Sequence, residues 1–298
     1  MDEDERLRRG SSFGAAAEAY DEHRPGYPHD AIRWALQPAT LRPAGRDLAG
    51  LKLLDLGAGT GKLTTRLAAL GVCVTAVEPD AEMLAALARL LPSVPAYPGS
   101  AEAIPLPDGS VDAVLCGQSM HWFNLERALP EIARVLAPGG VLAGLWNSDD
   151  DRVEWVAGLH VAAEGSASPT VSTRRDETAD IGRGKNPGGG DDGGRSSGGP
   201  SGEGDGSEGD GTGDKHSGVW DPYFGPREIA EFGNGHQRTA ESLLATVATH
   251  SKFLTMPSER REEVLGRVRD YLASQPETAD GEFTLPMVTS VLRTTRLP

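Results

Sequence analysis

Glycines alternate with other residues in a short segment after the first apolar run of the chain. The segment is LLDLGAGTGK, in which Asp55 precedes Gly57, Gly59 and Gly61. Glycine lets a backbone turn tightly and approach a ligand where a Cβ atom would clash, and the amides at a helix start can bind a carboxylate. A dinucleotide fingerprint, G-x-G-x-x-G, would need glycine at the position of Lys62. The spacing therefore predicts a ligand-binding loop of a different type.

A carboxylate stands where the next apolar run ends, in the segment AVEPD. Glu78 at this point can accept hydrogen bonds from both hydroxyls of a ribose. The alternative is a solvated acid at the start of the following helix. With the glycine loop one strand earlier, the pattern favours a cofactor that contains a nucleoside. The acid alone does not identify which cofactor, because several carry both ribose hydroxyls.

Candidate residues for a second substrate lie in two places. His121 and Trp122 follow the fourth predicted strand. His121 can deprotonate a hydroxyl or an amine, because histidine titrates near neutral pH, or it can orient an acidic substrate that needs no base. A wall of aromatic side chains with a structural histidine is the alternative. Near the N-terminus, Tyr20 and Arg24 can bind an anionic group, although a surface arginine in a proline-rich turn fits the pattern equally well.

The elements that must position these residues alternate between apolar strands and amphipathic helices. Helices are expected after the glycine loop, after the capping residue Asp80, and over Asn124–Leu136, where Pro130 should introduce a kink or a restart. Pro138–Gly140 is expected to form a turn. The predicted strands are Leu51–Leu56, Val72–Val77, Val94–Tyr97, Val111–Cys116 and Val141–Trp146. This alternation predicts an α/β fold, a doubly wound parallel sheet with helices on both faces.

The composition changes sharply between residues 164 and 218, where glycine, serine and acidic residues dominate. Such a segment has too little apolar surface to offset the entropy of ordering. Residues 164–218 are therefore predicted to be a disordered insertion. An acidic tail that binds a partner is the less favoured interpretation.

The chain beyond this insertion contributes three predicted helices and a last strand. These pieces are too small for a second core, so residues 1–163 and 219–298 are predicted to form a single domain. Trp220, Tyr223 and Phe224 either line an apolar substrate pocket, which we favour, or anchor the end of the insertion. The helices are expected over Pro226–Phe232, Glu241–His250 and Ser258–Ser274, and the strand over Glu282–Arg296.

Charge and composition disfavour several classes of partner. The 298 residues carry a formal net charge of -15, with a pI of about 4.9, which disfavours nucleic-acid backbones and anionic lipid surfaces. Cys73 and Cys116 fall in runs predicted to be buried strands, and they are too few for a disulfide framework or a zinc site. No segment has the pattern of a signal peptide or of a membrane span. We expect a cytoplasmic monomer or homodimer with no metal, nucleic-acid or membrane partner.

Four motifs, taken in order, resemble those of the class I methyltransferases that use S-adenosylmethionine (SAM). They are LLDLGAGTGKLT, AVEPD, GSAEAIPLPDGSVDAV and EIARVLAPGG. The segments FGAAAEAYDEHRPGYP, SMHWFN and SKFLTMP…LPMVTSVLR are also similar to the type 11 group, which includes trans-aconitate methyltransferase-like proteins. The resemblance implies a Rossmann-like, mostly parallel sheet of seven strands, with cap helices in residues 1–45 and a SAM-binding core in residues 50–147. It also implies methyl transfer from SAM to a small molecule, and the type 11 likeness suggests a carboxylic acid.

The resemblance further implies a set of cofactor contacts. Asp55 would support the glycine loop, Glu78 would hold the ribose, and Gln118 would lie near the methionine part of SAM. The loop residues near the methionine part would be Gly57, Ala58, Gly59 and Gly61. The residues around the adenine would be Pro79, Met83, Ala101 and Glu102. In this scheme His121 is the candidate catalytic residue, and the candidate acceptor-binding residues are Tyr20, Arg24 and Trp122.

Two alternatives remain from the sequence. A nicotinamide-dependent oxidoreductase would share the glycine loop and Glu78, but Lys62 replaces the third fingerprint glycine and no hydride-transfer residues are recognisable. A protein that binds SAM without catalysis fits the same motifs, because function depends on the site rather than on the fold. Comparing the stabilisation by NADH with that by SAM distinguishes the first alternative.

Overall fold

One seven-stranded sheet organises the molecule. This computed structural model describes residues 25–41, 48–164, 218–248, 256–279 and 281–298. The strands are β1 (Lys52–Leu56), β2 (Cys73–Glu78), β3 (Ala96–Pro98), β4 (Val111–Gly117), β5 (Leu136–Asp149), β6 (Glu228–Thr239) and β7 (Glu282–Thr295). Their order is β3-β2-β1-β4-β5-β7-β6, and β7 runs antiparallel to its neighbours while the other pairs are parallel. The predicted α/β fold with a mostly parallel sheet of seven strands is confirmed.

Helices cover both faces of this sheet. They are α1 (His29–Thr40), α2 (Lys62–Ala69), α3 (Ala81–Leu90), α4 (Leu125–Val135), α5 (Glu154–Glu164), α6 (Ala240–Ala248) and α7 (Ser258–Ser274). Successive residues of β4 point to opposite faces. Ala113 and Leu115 belong to the core under α1 and α2, whereas Val114 and Cys116 belong to the core under α4. Burial on both faces explains why the central strands are apolar almost throughout.

A third apolar cluster joins α5, α6 and α7 to the start of β7. Trp155 packs edge-on against Phe283, with ring centroids 5.8 Å apart, and Val268 of α7 is fully buried in the same cluster. Because β7 is antiparallel to β5, its first residues lie at the edge where the parallel strands end. The three helices therefore form a cap beside the carboxyl edge of the sheet, which is where parallel α/β sheets bind ligands.

The first four strands and the helices α4, α6 and α7 agree with the predicted segments within two residues, whereas β5 begins five residues before the predicted Val141 and ends three residues after Trp146. Helix α7 has the predicted bounds, and β7 ends one residue before the predicted Arg296. Asp80 caps α3 as expected, because its Oδ1 accepts hydrogen bonds from two amides of the first turn. Of the two effects predicted for Pro130, a kink or a restart, the restart is wrong, because α4 continues through Pro130 and ends at Val135.

Three expectations about local structure were wrong. The predicted helix Pro226–Phe232 is instead the beginning of β6, which pairs with β7 along its whole length. The predicted turn Pro138–Gly140 lies inside β5, where the pairing with β4 shifts register and Gly139 has a φ of 69°. Cys73 is exposed rather than buried, because it is the first residue of β2 at the opposite, amino edge of the sheet, whereas Cys116 is buried as predicted.

Some predictions fall on residues that the structure does not describe. Residues 165–217, nearly all of the predicted insertion, lie outside the described residues, as do Tyr20 and Arg24. Directly after that stretch, Trp220 is completely buried and stacks edge-on against Phe224 in the core under α4. Trp220 and Phe224 therefore pack as anchors of the chain after the predicted insertion, and not as the wall of a substrate pocket, which was the favoured prediction. No helix in the described part of the chain is long and apolar enough to cross a bilayer.

Candidate functional site

The glycine loop connects β1 to α2 at the carboxyl edge of the sheet. Gly57, Gly59 and Gly61 all have positive φ angles, of 70°, 56° and 97°. The amides of Gly57 and Ala58 donate to the carbonyl of Val77 in β2, at 2.9 and 3.1 Å. The positive φ angles favour glycine over other residues. The loop therefore presents backbone, with little side chain, at the end of β1.

Close packing adds a second requirement at one loop position. A Cβ atom placed on Gly57 would lie 2.6 Å from Cβ of Ser119, the second residue after β4. Ser119 is itself held in place, because its Oγ donates to the carbonyl of Leu56 at 2.7 Å. The glycine loop and the segment after β4 thus approach each other more closely than any side chain at Gly57 would allow.

Glu78 ties the loop to the end of β2. Its Oε2 accepts a hydrogen bond from the amide of Gly59 at 2.8 Å, and its Oε1 accepts from the amide of Asp80 at 2.9 Å. Only 6% of Glu78 is exposed, and this burial raises the pKa of its carboxyl, although the two amides counteract the effect. A carboxylate oxygen can accept more than one hydrogen bond, so capacity remains for ribose hydroxyls. Glu78 thus shapes the loop as well as being placed to bind a ligand.

Asp55 lies completely buried in β1 directly below the loop. Its Oδ2 accepts a hydrogen bond from Thr64 Oγ1 at 2.6 Å, which links β1 to α2. Its Oδ1 is buried and has no hydrogen-bond donor among the described residues. Burial raises the pKa of Asp55 from 3.8 to about 7, Thr64 lowers it in part, and the charge of Glu78 raises it further. The site therefore contains an acceptor oxygen that a cationic or protic ligand group can satisfy.

Gln118, at the end of β4, offers a similar oxygen. It has a φ of 56°, the one positive φ of a non-glycine residue in the part of the chain that the structure describes. Its Nε2 donates to the carbonyl of Asn147 at 2.9 Å, while its Oε1 is buried and lacks a donor among the described residues. Strained backbone of this kind clusters at ligand sites. Since β1 and β4 are adjacent strands, the unsatisfied oxygens of Asp55 and Gln118 lie at neighbouring strand ends.

These oxygens and Glu78 fit the groups of SAM. The methionine part carries an ammonium with three donor hydrogens, and the ribose carries two hydroxyls. Buried polar atoms without partners are unusual in folded proteins and call for an explanation. An ammonium bound beside Asp55 and Gln118 would supply one, and ribose hydroxyls at Glu78 would supply donors for its remaining lone pairs. The residues present therefore fit the cofactor that the motifs imply.

The predicted adenine side is built from the first turn of α3 and the loop after β3. Met83 is buried in that turn, and its Sδ would lie 3.8 Å from a Cβ placed on Gly59. Pro79 is exposed beside it, and Ala101 is buried in the loop. Glu102 accepts a hydrogen bond from the amide of Asn124 at 2.8 Å and so ties the loop to the start of α4. The structure brings all four predicted residues to one side of the glycine loop.

A single arginine holds the rest of that loop. Arg134 of α4 donates to the carbonyls of Ile104 and Leu106, at 2.9 and 2.8 Å, and pairs with Asp108 and Glu131. Five donors in a planar fork allow arginine to satisfy several acceptors at once. The loop that carries Ala101 and Glu102 is therefore fixed by α4. The sequence analysis missed this residue, although an arginine in the last turn of a predicted helix was visible.

The two aromatic residues predicted after β4 lie side by side in a short 3₁₀ turn, Met120–Trp122. The rings of His121 and Trp122 are 4.9 Å apart between centroids and tilted by 48°. Both are partly exposed, and Trp122 packs against the core under α4. The turn follows Gln118 by two residues, so His121 stands next to the predicted methionine site. Its catalytic role stays a prediction.

An asparagine that the sequence analysis did not single out connects the site to the N-terminal segment. Asn147, at the end of β5 and 2% exposed, donates from Nδ2 to the carbonyl of Gly26 at 3.2 Å. Asn234 of β6 donates to the same carbonyl at 3.0 Å, and Thr289 of β7 donates to Asn147 Oδ1 at 2.6 Å. Residues 25–28, which we term the anchored segment, are thus held across the carboxyl edge. The sequence signal that could have identified Asn147 is a polar residue directly after the apolar run VLAGLW.

The end of β5 also meets the helical cap. Asp149 Oδ2 lies 2.9 Å from His160 Nε2 on α5. On β6, Arg238 is 6% exposed, and burial lowers the pKa of its guanidinium while the charge of Asp149 opposes that effect. Charged groups therefore line the edge from β5 to β6, on the side of the sheet away from the predicted adenine site.

Comparisons with known proteins agree with this geometry. A family model described as a methyltransferase domain, type 11, matches residues 54–144, which run from β1 into β5. An uncharacterised methyltransferase of Mycobacterium tuberculosis is 38% identical over 285 residues, covering 95% of both chains. A malonyl-[acyl-carrier protein] O-methyltransferase of Erwinia billingiae is 36% identical over 138 residues, covering 43% of this chain and 49% of the relative. A crystallised candidate type II methyltransferase from Anaeromyxobacter dehalogenans has the same fold, with a TM-score of 0.57, 23% identity and coverage of 92% and 99% of the two chains.

Proposed function

Because the chain belongs to the class I SAM-dependent methyltransferases, we propose that it transfers the methyl group of SAM to the carboxylate of a small molecule, giving a methyl ester. Membership in this family removes the nicotinamide-dependent oxidoreductase from consideration. The observation that carries the cofactor half of the proposal is the pair of unsatisfied buried oxygens, of Asp55 and Gln118, beside the loop that Glu78 holds.

When bound, SAM supplies a methyl group on a positively charged sulfur, which is already an activated leaving group. What remains for the protein is to hold acceptor and methyl in line, and positioning of this kind contributes up to about 7–11 kcal/mol in well-oriented systems. The glycine loop, Glu78, Asp55 and Gln118 orient the cofactor from one side. His121 and Trp122 form the wall next to Gln118 and orient the acceptor.

Three considerations support a carboxylate acceptor. A carboxylic acid with an ordinary pKa is ionised at neutral pH, so its oxygen attacks without a general base. In that case His121 donates a hydrogen bond to the acceptor instead of removing its proton. Among the relatives, one acts as an O-methyltransferase on a malonyl group, which has one free carboxylate. The type 11 likeness of the motifs points the same way.

The test is transfer of labelled methyl from SAM to a panel of small carboxylic acids, with analysis of the product. A methyl ester releases labelled methanol in mild base, whereas a methylated amine or carbon does not. We expect base-labile label with at least one acid of the panel. Label found in base-stable product alone would contradict the ester proposal while leaving methyl transfer intact.

His121→Ala tests the role of the histidine in the same assay. We expect kcat to fall about 10- to 100-fold, since a positioned hydrogen bond to a charged group contributes about 1.5–3 kcal/mol. The affinity for S-adenosylhomocysteine should stay within twofold, because His121 lies on the acceptor side. Unchanged turnover with the best acceptor would eliminate this role.

A further inference from the structure

Arg134 of α4 uses every hydrogen-bond donor of its guanidinium. Its Nε and Nη2 donate to the two oxygens of Glu131, both at 2.8 Å. Its remaining N–H groups donate to the carbonyls of Ile104 and Leu106, at 2.9 and 2.8 Å, and to Asp108 at 2.7 Å. Arginine has five N–H groups in one plane, so all five are bound. Lysine could not replace it here, because its ammonium has three donors at a single point.

Glu131 lets the same helix bind Ile104 through both of its backbone groups. The Oε2 of Glu131 accepts a hydrogen bond from the amide of Ile104 at 3.0 Å, while Arg134 donates to the carbonyl of that residue. The hydrogen bonds from Arg134 are the main factor that lowers the pKa of the Glu131 carboxyl; partial burial opposes them, and the amide of Ile104 adds to them. The carboxylate therefore stays ionised at neutral pH and keeps both contacts.

Helix α4 also binds the segment on either side of Ile104. Residues 99–110 connect β3 to β4, and we term them the β3–β4 loop. Near the start of this loop, Glu102 Oε1 accepts from the amide of Asn124, the residue before α4, at 2.8 Å. Near its end, the amide of Gly109 donates to the carbonyl of Arg134 at 2.9 Å. The path of the β3–β4 loop is therefore set by α4 over most of its length.

The residues predicted to meet the adenine lie inside this bound stretch. Ala101 and Ile104 are both buried in the core under α4, and Glu102 lies between them along the chain. A carboxylate accepts more than one hydrogen bond, so Glu102 can receive the 6-amino group of adenine while it stays bonded to Asn124. Groups that bind a ligand must be held to within about 0.5 Å by the packing and hydrogen bonds of their neighbours. The contacts of α4 supply this support.

The exposure of the pair indicates what each contact contributes. The side chain of Asp108 is 81% exposed and that of Arg134 is 31% exposed, and exposed ion pairs contribute little to stability. The contacts that remain are those with the backbone of Ile104 and Leu106, which determine where the loop runs. A role in placing the loop therefore explains the arrangement better than a role in stability alone.

We propose that Arg134, together with Glu131, is a positioning residue for the recognition of adenine. It acts through the β3–β4 loop, which it holds so that Ala101 and Glu102 select adenine over a purine without a 6-amino group. The inference rests on the proposed function, because it requires SAM as the cofactor. The alternative is that the pair stabilises the fold without affecting selectivity.

Two ligands that differ at a single position of the base distinguish these roles. S-adenosylhomocysteine has the 6-amino group, and S-inosylhomocysteine has in its place a carbonyl oxygen, which the carboxylate of Glu102 repels. Binding of each is measured by calorimetry for the wild type, Arg134→Gln, Arg134→Lys and Arg33→Gln. Arg33 is exposed on α1, on the opposite face of the sheet, so its variant is the matched control for loss of an arginine. Urea denaturation shows that each variant is folded.

We expect wild type and Arg33→Gln to bind S-adenosylhomocysteine at least about tenfold more tightly than S-inosylhomocysteine. In Arg134→Gln the affinity for S-adenosylhomocysteine should fall about tenfold, and the preference over S-inosylhomocysteine should fall below about threefold. Arg134→Lys should lose selectivity as well, because a point charge cannot bind two carbonyls and a carboxylate at once.

Equal weakening of both ligands in the Arg134 variants would overturn the proposal, because the pair would then support the fold without shaping the adenine site. Selectivity that persists in both variants, or that is absent in wild type, would overturn it too. If Arg134→Gln does not fold, Arg134→Lys decides by the same comparison. Failure of wild type to bind S-adenosylhomocysteine at all is a different result, since it contradicts the proposed function and this inference with it.

Discussion

Replacing Asp55 with asparagine should stabilise the protein without ligand and weaken its binding of SAM. Asp55 is completely buried, with one oxygen bonded to Thr64 and the other without a donor among the described residues. Burial raises its pKa from 3.8 to about 7, so the ionised form is disfavoured in the folded protein. Asparagine has nearly the same shape and no charge. The variant therefore removes the unfavourable charge and keeps the acceptor for Thr64.

The size and the pH dependence follow from the difference between the folded and unfolded pKa values. For a group whose pKa is raised on folding, the stabilisation is complete below pH 3.8 and is lost as the pH rises towards 7. At pH 8.5 the loss of stability is complete and amounts to about 4 kcal/mol. At pH 5.5 it is partial and amounts to about 2 kcal/mol. The free energy of unfolding of Asp55→Asn should thus exceed that of wild type, by a margin that grows by about 2 kcal/mol between these pH values.

Urea denaturation at pH 5.5 and pH 8.5 measures this margin, with Glu262→Gln, an exposed charge removal on α7, as the control. SAM affinity is measured on the same preparations. We expect it to fall about tenfold or more in Asp55→Asn, because a neutral side chain no longer attracts the ammonium of SAM. A margin that is absent at pH 8.5, or that is equal at both pH values, would refute the assignment of a buried, unfavourable charge at this position.

The central part of the fold was predictable because each element there is specified locally. The runs LKLLDL, VCVTAV and VDAVLC are apolar on both faces, as strands covered by helices on both sides must be. Glycine at positions 57, 59 and 61 indicates a backbone conformation that other residues rarely adopt, and all three have positive φ. The position of Glu78 after β2 followed from the same local pattern.

What the sequence did not reveal depends on partners far along the chain. The segment of β6 that begins at Glu228 is a strand because it pairs with β7, and its glycines, Asn234 and His236 give it little strand preference of its own. Asn147 bonds to residues 121, 87 and 142 positions away, in Gly26, Asn234 and Thr289. No local pattern encodes such a network. The second role of Glu78, which accepts hydrogen bonds from the amides of Gly59 and Asp80, was missed as well, because a carboxylate at the end of a strand does not by itself indicate which amides it binds.

Three further substitutions test the packing around the site by denaturation. Gly57→Ala should lower the free energy of unfolding by about 2–3 kcal/mol more than Gly71→Ala, since both glycines have positive φ but a Cβ at Gly57 would lie 2.6 Å from Ser119 whereas the space at Gly71 is open. Equal losses would show that the contact with Ser119 relaxes. Trp220→Ala should remove about 3–5 kcal/mol if this completely buried ring anchors the chain in the core under α4, and a loss below 1 kcal/mol would exclude that role. Asn147→Asp replaces a donor to the carbonyls of Pro25 and Gly26 with an oxygen that repels them. It should therefore lose about 1–3 kcal/mol and speed amide exchange in residues 25–28, while Thr289→Ser, which keeps the hydroxyl donor to Asn147, should lose much less. Exchange in that segment that is unchanged by Asn147→Asp would mean that other contacts hold it in place.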